Sequence, residues 1–242
     1  VLENIQKTNK TNIKKEACDN YHHIGHRERL RKKFIASKNG TFLDYEILEI
    51  LLFGAKLRSD VKPLAKQLIA KLGGFHKVFS SDANELRQIK GVNDTLIAII
   101  KAVKEALQII LKADFEKKPI LNNWKSVLDY LKLSMGSDST EKFRILFLSK
   151  TYVLIEDYLQ DVGTIDQTPL YIREVIKKAL SLGASAVIIS HNHPSGSCKP
   201  SDADLKVTEK LQKACVNIGL ELVDHLIITT NSHFSFASNG LL

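Results

Sequence analysis

No apolar run in this chain of 242 residues approaches the roughly 20 residues needed to cross a bilayer, so no membrane partner is expected. The first twenty residues, VLENIQKTNKTNIKKEACDN, lack an apolar segment and do not read as a secretory signal. Cysteine is scarce. Cys18, Cys198 and Cys215 are an odd number without close pairing, which makes a reducing cytoplasm the simplest home. Only 5 prolines and 12 glycines accompany 44% apolar and 26% charged residues, which excludes wholesale disorder and a collagen-like repeat. No internal repeat is visible. What is left is a globular composition, long enough for one large domain or two ordinary ones.

Charge divides the chain. Residues 1–120 carry 23 basic and 14 acidic side chains, whereas residues 121–242 carry 12 and 13. The whole surplus therefore lies in the first half, and residues 7–38 alone hold ten basic against three acidic groups. Two modules with different partners are implied, and a polyanion partner belongs only to the first. A solvated basic surface that merely keeps the protein soluble is the alternative.

Periodicity agrees with the division. Residues 1–24 are polar and Lys/Asn-rich, as in a mobile basic arm. From Gly25, HRERLRKKFIAS sets Leu30 and Phe34 four apart on a helical face. Thr41 and Asp44 have the spacing of a capping box before YEILEILLF. Another helix is expected after Ser59-Asp60, with Pro63 in its first turn and Gly73-Gly74 as its stop. A short helix opens at Asp82–Glu85 and ends near Ile89, and a long one runs from Asn93-Asp94 to about Lys112. ADFEKKPILNN, residues 113–123, reads as a linker. After a helix near Trp124–Leu133, the texture becomes strand-like in KFRILFLS and YVLIEDYL. IREVIKKALSL is an amphipathic helix, AVIIS a buried strand, and DADLKVTEKLQKACVNI a second helix. LELVDHLIITT and HFSFAS close the chain as strands. An all-α domain over residues 25–118 is expected, followed by an α/β domain over 119–242 with a mixed β-sheet flanked by helices.

The densest chemistry is SHNHPSGSCKPSDAD, residues 190–204. His191 and His193 leave the end of a strand two residues apart, so both imidazoles point to one side. Ser201 is a natural N-cap, which places Asp204 at the third helical position, facing back toward the loop. Two imidazoles and one carboxylate can converge on one ion, the donor set of a zinc with an open fourth position. Ser201-x-x-Asp204 is also an ordinary capping box that needs no metal. Cys198 is close enough to serve as a fourth ligand, which would make the site structural. The tract Cys18, His22, His23, His26 also has metal donors, but its flexible basic setting suggests adventitious binding.

His191-x-His193-Pro194 followed by Ser201-x-x-Asp204 resembles the JAMM signature of MPN-type metalloproteases. The longer string HNHPSG…PSxxD, with Asp224-His225-Leu-Ile-Ile, resembles the bacterial RadC branch. That resemblance extends through Gly163-Thr164, Arg173-Glu174-Val175 and the terminal HFSFASNGLL, departing at Ser238, where many relatives carry an acidic residue. It implies an MPN/JAMM-like fold, one Zn2+ per chain held by His191, His193 and Asp204, and hydrolysis of a peptide or protein amide bond. It further implies Glu141, heading EKFRILFL, as the proton-transferring carboxylate and Ser201 as oxyanion donor; Glu156, within the second strand, is a rival that the family register disfavours. His225 reads as a neighbour of the metal ligands or, preferably, as a core histidine. In the helical half, Leu86-x-x-Ile89-Lys90-Gly91-Val92-Asn93 before LIAIIKAV resembles a helix-hairpin-helix element, with Asn93 where the usual hairpin has Gly. This implies DNA as a partner through residues 25–118; a simple helix–helix turn is the alternative. Two functions follow: a zinc-dependent metallopeptidase or isopeptidase-like hydrolase, or a non-catalytic DNA-binding accessory protein in repair or recombination.

Overall fold

The computed structural model describes residues 25–37, 42–57, 59–160 and 170–242. The basic arm, Cys18, His22, His23, Thr41 and Gly163-Thr164 lie outside the described residues. Two compact units are present, ending at Ala102 and beginning at Val103, and each is built around its own apolar side chains. Among the described residues, no helix is long and apolar enough to cross a membrane.

The first unit is helical: α1 (residues 25–36), α2 (Asp44–Ala55), α3 (Lys62–Leu72), α4 (Phe75–Ser80), α5 (Ala83–Arg87) and the start of α6 (Asp94–Ala113). Leu48, Leu52, Ala65, Leu68, Val78 and Leu86 are fully buried at its centre. The N-cap of α2 is Leu43, whose N–H donates to the Glu46 carboxylate at 3.0 Å. Pro63 does sit in the first turn of α3, and Gly73 ends that helix at φ 84°, a conformation costly for any side chain. The short helix α4 between Gly74 and Ser81 was not expected from the sequence; at six residues it is too brief to show a period. Asp82 caps α5 by accepting from the N–H groups of Asn84 and Glu85. Buried Arg27 donates to the carbonyls of Lys56, Leu57 and Ser59, tying α1 to the segment after α2.

The second unit contains the rest of α6, then α7 (Trp124–Met135), β1 (Phe143–Leu148), β2 (Leu154–Gln160), α8 (Ile172–Leu182), β3 (Ala186–Asn192), α9 (Asp202–Val216), β4 (Glu221–Ile228) and β5 (His233–Ser235). The sheet order is β2-β1-β3-β4-β5. β1 runs antiparallel to β2 and β3, β3 runs parallel to β4 across α9, and β5 returns antiparallel. This is the mixed sheet flanked by helices that the alternating texture implies. The segment 113–123, polar on average, is packed rather than free: Phe115 and Ile120 are fully buried, and Pro119 bridges to Val153.

Period-two alternation assigns the strand side chains to two cores. Leu146, Leu148, Ile188, Leu226 and Ile228 pack with α7 residues Val127, Leu131 and Met135. Phe143, Ile145, Phe147, Val187 and Ile189 pack with Val175 and Ala179 of α8 and Leu211 and Cys215 of α9. β3 is buried along its whole length. Its odd-numbered positions face α8 and α9, so His191 is delivered to the α9 side. Its even-numbered Asn192 is delivered to the other.

Candidate metal centre

The site forms where β3 ends and α9 begins, beyond the carboxyl end of a central strand. His191 is paired with Phe143 of β1 and Ile227 of β4, so its backbone is held from both sides. One residue past the strand, the His193 N–H donates to the Ile228 carbonyl at 3.1 Å, and the extended path is kept. Gly196 then turns the chain at φ 80°, its N–H returning to the His193 carbonyl at 3.0 Å. The turn places the Ser197 carbonyl 2.8 Å from His193 Nδ1. A carbonyl only accepts, so Nδ1 carries a proton and Nε2 points inward.

Asp204 arrives from the first turn of α9. Ser201 caps the helix: its Oγ accepts from the Asp204 N–H at 3.2 Å and donates to Asp204 Oδ2 at 2.7 Å. The Ser201 N–H also donates to Oδ2, at 2.8 Å. The capping box is therefore real, and it aims the carboxylate at the imidazoles. Asp204 Oδ1 lies 3.1 Å from His191 Nε2, and Oδ2 lies 3.4 Å from His193 Nε2. The two Nε2 atoms are 3.0 Å apart. Among the described residues, His191, His193 and Asp204 are the cluster able to hold a metal ion, with ligand atoms within 4.8 Å of one another. His191 is wholly buried, while the His193 side chain keeps 15% of its exposure, so the cluster opens to solvent on that side.

This donor set fits a cation. Two imidazole nitrogens and a carboxylate converge on one point with no cationic side chain among them, and only a proton or a metal relieves the repulsion of their lone pairs. Electrostatics agree. Burial pushes the Asp204 carboxyl up, but the adjoining imidazoles of His191 and His193 and the Ser201 hydroxyl together outweigh it and hold Asp204 well below the usual carboxylate range. His193 is raised, mainly by its hydrogen bond to Asp204 and against the effect of burial.

Glu141 stands two residues before β1, half-buried. Burial lifts its carboxyl above the ordinary value; the negative Asp204 adds to this, and His191 and His193 oppose it. The backbone on both sides of Glu141 is pinned by Asn192. Its side-chain amide donates to the carbonyls of Thr140 at 2.9 Å and Asp138 at 3.2 Å, and its oxygen accepts from the Lys142 N–H at 2.9 Å. The same loop begins at Gly136, where a Cβ would come within 2.8 Å of the Thr229 carbonyl oxygen, so only glycine lets α7 end against β4. Glu156 is elsewhere. It lies opposite Phe147 on β2, four residues along β1 from the His191 register, and pairs with Lys178 at 2.6 Å.

Cys198 does not join the cluster; its Sγ lies 2.8 Å from Ser232 Oγ. His26 contacts Glu49 at 2.8 Å, inside the helical unit. Beneath the site, His225 is fully buried, 2.8 Å from His191 Nδ1 through its Nε2 and 2.6 Å from Thr208 Oγ1 through its Nδ1. The preferred reading of His225 as a simple core histidine is incomplete, since it hydrogen-bonds a member of the cluster. Phe236 stacks on its ring at 4.5 Å, and Phe143 stacks on His191 at 4.8 Å. Burial holds His225 well below its ordinary value. Asp224, adjacent in sequence, plays a different part. It accepts from Ser235 Oγ at 2.6 Å and the Ala237 N–H at 3.0 Å, fastening the terminal turn in which Ser238 also bonds to Ser235.

Asn192 and Thr208 carry only faint sequence signals. The signal for Asn192 was an amide inside an otherwise buried strand run, and for Thr208 a hydroxyl four residues after Asp204 on the same helical face.

A mixed sheet that carries paired imidazoles at a strand end and a carboxylate at the next helix start is consistent with an MPN/JAMM-like domain, and its three donors are compatible with a metal site of that type. The comparisons with known proteins agree. Residues 121–241 match the family described as the RadC-like JAB domain. A UPF0758 protein of Ruegeria pomeroyi is 40% identical over 217 residues, covering 90% of this chain and 97% of its own length. A UPF0758 protein of Rhodobacter capsulatus is 41% identical over 213 residues, covering 88% of this chain and its own full length (100%). The chain belongs to the RadC/UPF0758 family.

Proposed function

We propose that this protein is a zinc-dependent hydrolase of amide bonds, with a peptide or isopeptide as substrate. The observation that carries the reading is the convergence of His191 Nε2, His193 Nε2 and Asp204 beside the half-buried Glu141. His191, His193 and Asp204 would hold the ion, one per chain. Zinc, when bound, polarises a carbonyl and acidifies water.

Glu141 supplies the proton transfers. Its raised carboxyl suits a group that must take a proton from water and then release it at neutral pH. Water's proton passes to Glu141 as its oxygen adds to the amide carbon. The C–N bond then breaks, and Glu141 returns the proton to the departing nitrogen, so amide and water become acid and amine. Ser201 is the candidate donor to the developing oxyanion. Its hydroxyl proton is directed at Asp204 Oδ2 in the resting arrangement, so that role requires rotation about a single side-chain bond.

The test is a mixture of peptide and isopeptide amides incubated with zinc-loaded protein and read by mass spectrometry. Cleavage is expected from the wild type and not from Glu141→Gln, with both retaining zinc. Cleavage that survives in Glu141→Gln removes that carboxylate from the mechanism.

A second reading, DNA association through residues 25–118, is supported by the 23 basic against 14 acidic residues of the first 120. The hairpin contributes less to it. Asn93 Oδ1 already accepts the Leu96 N–H at 2.9 Å, and Asp94 places a carboxylate at the start of α6, where a phosphate would sit. Charge-driven, sequence-independent binding with a steep salt dependence is the form this association would take.

A further inference from the structure

The tautomer of a buried histidine can be read from the polarity of its partners, and here the chain of partners starts on α9. Thr208 Oγ1 lies 2.5 Å from the Asp204 carbonyl oxygen, one helical turn back. That oxygen only accepts, so the single hydroxyl proton is committed to it. The same Oγ1 lies 2.6 Å from His225 Nδ1 and toward it can only accept. His225 Nδ1 therefore carries hydrogen. His225 is fully buried with a hydroxyl and an imidazole as its ring partners and no carboxylate among them, so it is a neutral imidazole with one such hydrogen, which leaves Nε2 as a lone pair. That lone pair faces His191 Nδ1 at 2.8 Å, so His191 must donate. With its Nδ1 hydrogen turned to His225, His191 directs Nε2 at His193 and Asp204 as the atom left to bind a metal.

We propose that Thr208 and His225 form a hydrogen-bond relay that selects the metal-ready tautomer of His191. Both are positioning residues, and the inference rests on the zinc reading of the site given above. The reversed polarity is the informative contrast. If His225 carried its proton on Nε2, His191 Nδ1 would accept and a proton on His191 Nε2 would block the site. His193 needs no such relay, because the Ser197 carbonyl fixes its polarity directly. His191 sits deeper, with another imidazole behind it that can donate or accept, and Thr208 removes that ambiguity. The stacked rings of Phe143 and Phe236 keep the two imidazoles in the orientation the relay needs.

The experiment uses the full chain, metal-free and labelled with 15N-histidine, and long-range proton–nitrogen correlation spectra. His225 is expected with hydrogen on Nδ1 and a bare Nε2. Thr208→Val keeps the side-chain shape and deletes the acceptor, so the proton should shift toward His225 Nε2, and zinc affinity should fall about 10–100-fold. Thr208→Ser should retain both the wild-type tautomer and the wild-type affinity, which a merely space-filling role for Thr208 would not require. A wild-type His225 protonated on Nε2 overturns the relay, and this reading stands even if the valine variant fails to fold. An unchanged tautomer in a folded Thr208→Val variant overturns it equally. Failure of the wild type to bind zinc would contradict the zinc reading alone, because the tautomer is read without metal.

Discussion

The two units each contain a capping box, and the same local motif ends in different chemistry. In the helical unit, Asp82 and Glu85 exchange hydrogen bonds at 2.9 and 3.3 Å at the start of α5, and both side chains are exposed. In the α/β unit, Ser201 and Asp204 make the same exchange at the start of α9, but Asp204 is only 6% exposed and faces two imidazoles. The first box satisfies helix N–H groups and nothing more. The second does that and also fixes the direction of a carboxylate. The difference is supplied by the element across from the helix: open solvent for α5, the end of a buried strand for α9.

The largest expected effect breaks that comparison at the acidic member. Asp204→Ala should abolish stoichiometric zinc binding, whereas Glu85→Ala should leave it intact; elemental analysis after zinc resupply and dialysis checks both. Next in size are substitutions that separate the units by their cores. Ile188→Ala, in the sheet, and Leu68→Ala, on α3, each remove a fully buried side chain and should cost about 2–5 kcal/mol. Hydrogen exchange should show the lost protection concentrated in the unit that carries each substitution. Uniform loss across the chain would show that the two do not unfold separately.

A smaller effect is the response of zinc affinity to pH. Hydrogen bonding to Asp204 raises the His193 value, so in the metal-free protein a proton occupies the site to a higher pH than an ordinary histidine would hold it. Zinc must displace that proton. Apparent affinity should therefore fall as pH drops through and below the His193 value, about tenfold per pH unit for one proton. Competition against a chelator over the neutral to mildly acidic range measures the slope, and a flat profile would remove His193 from the ligand set. The smallest effect belongs to the caps themselves. Asp82→Ala should cost about 1 kcal/mol of stability. Ser201→Ala should cost a similar amount and in addition weaken zinc binding, because its hydroxyl and N–H hold Asp204 Oδ2.

Much of this was legible in the chain. The strand AVIIS, the helix stop at Gly73 and the spacing of His191, His193 and Asp204 follow from local rules that the tertiary structure does not override. What was not legible depends on contacts between distant elements. Whether Ser201-x-x-Asp204 was a cap or a ligand holder depended on where β3 ends, and it proves to be both a cap and an aimed carboxylate. Cys198 was near enough in sequence to compete as a ligand, but the loop carries it to Ser232. Glu141 stands two residues before β1 and Glu156 lies opposite Phe147 on β2, a placement that strand pairing decides and composition does not. His225 and Thr208 gain their meaning from each other across the β4–α9 packing, a relation no single-segment pattern contains. The packed segment around Phe115 and Ile120 looked like a linker because its charges outnumber the two side chains that anchor it.

The most direct test is the zinc content of the purified full-length chain beside His193→Ala and Glu141→Gln, each resupplied with zinc and then dialysed. About one zinc per chain is expected in the wild type and in Glu141→Gln, and none in His193→Ala. Equal zinc in all three would place the metal outside this cluster, and no zinc in any would contradict a metal centre at His191, His193 and Asp204.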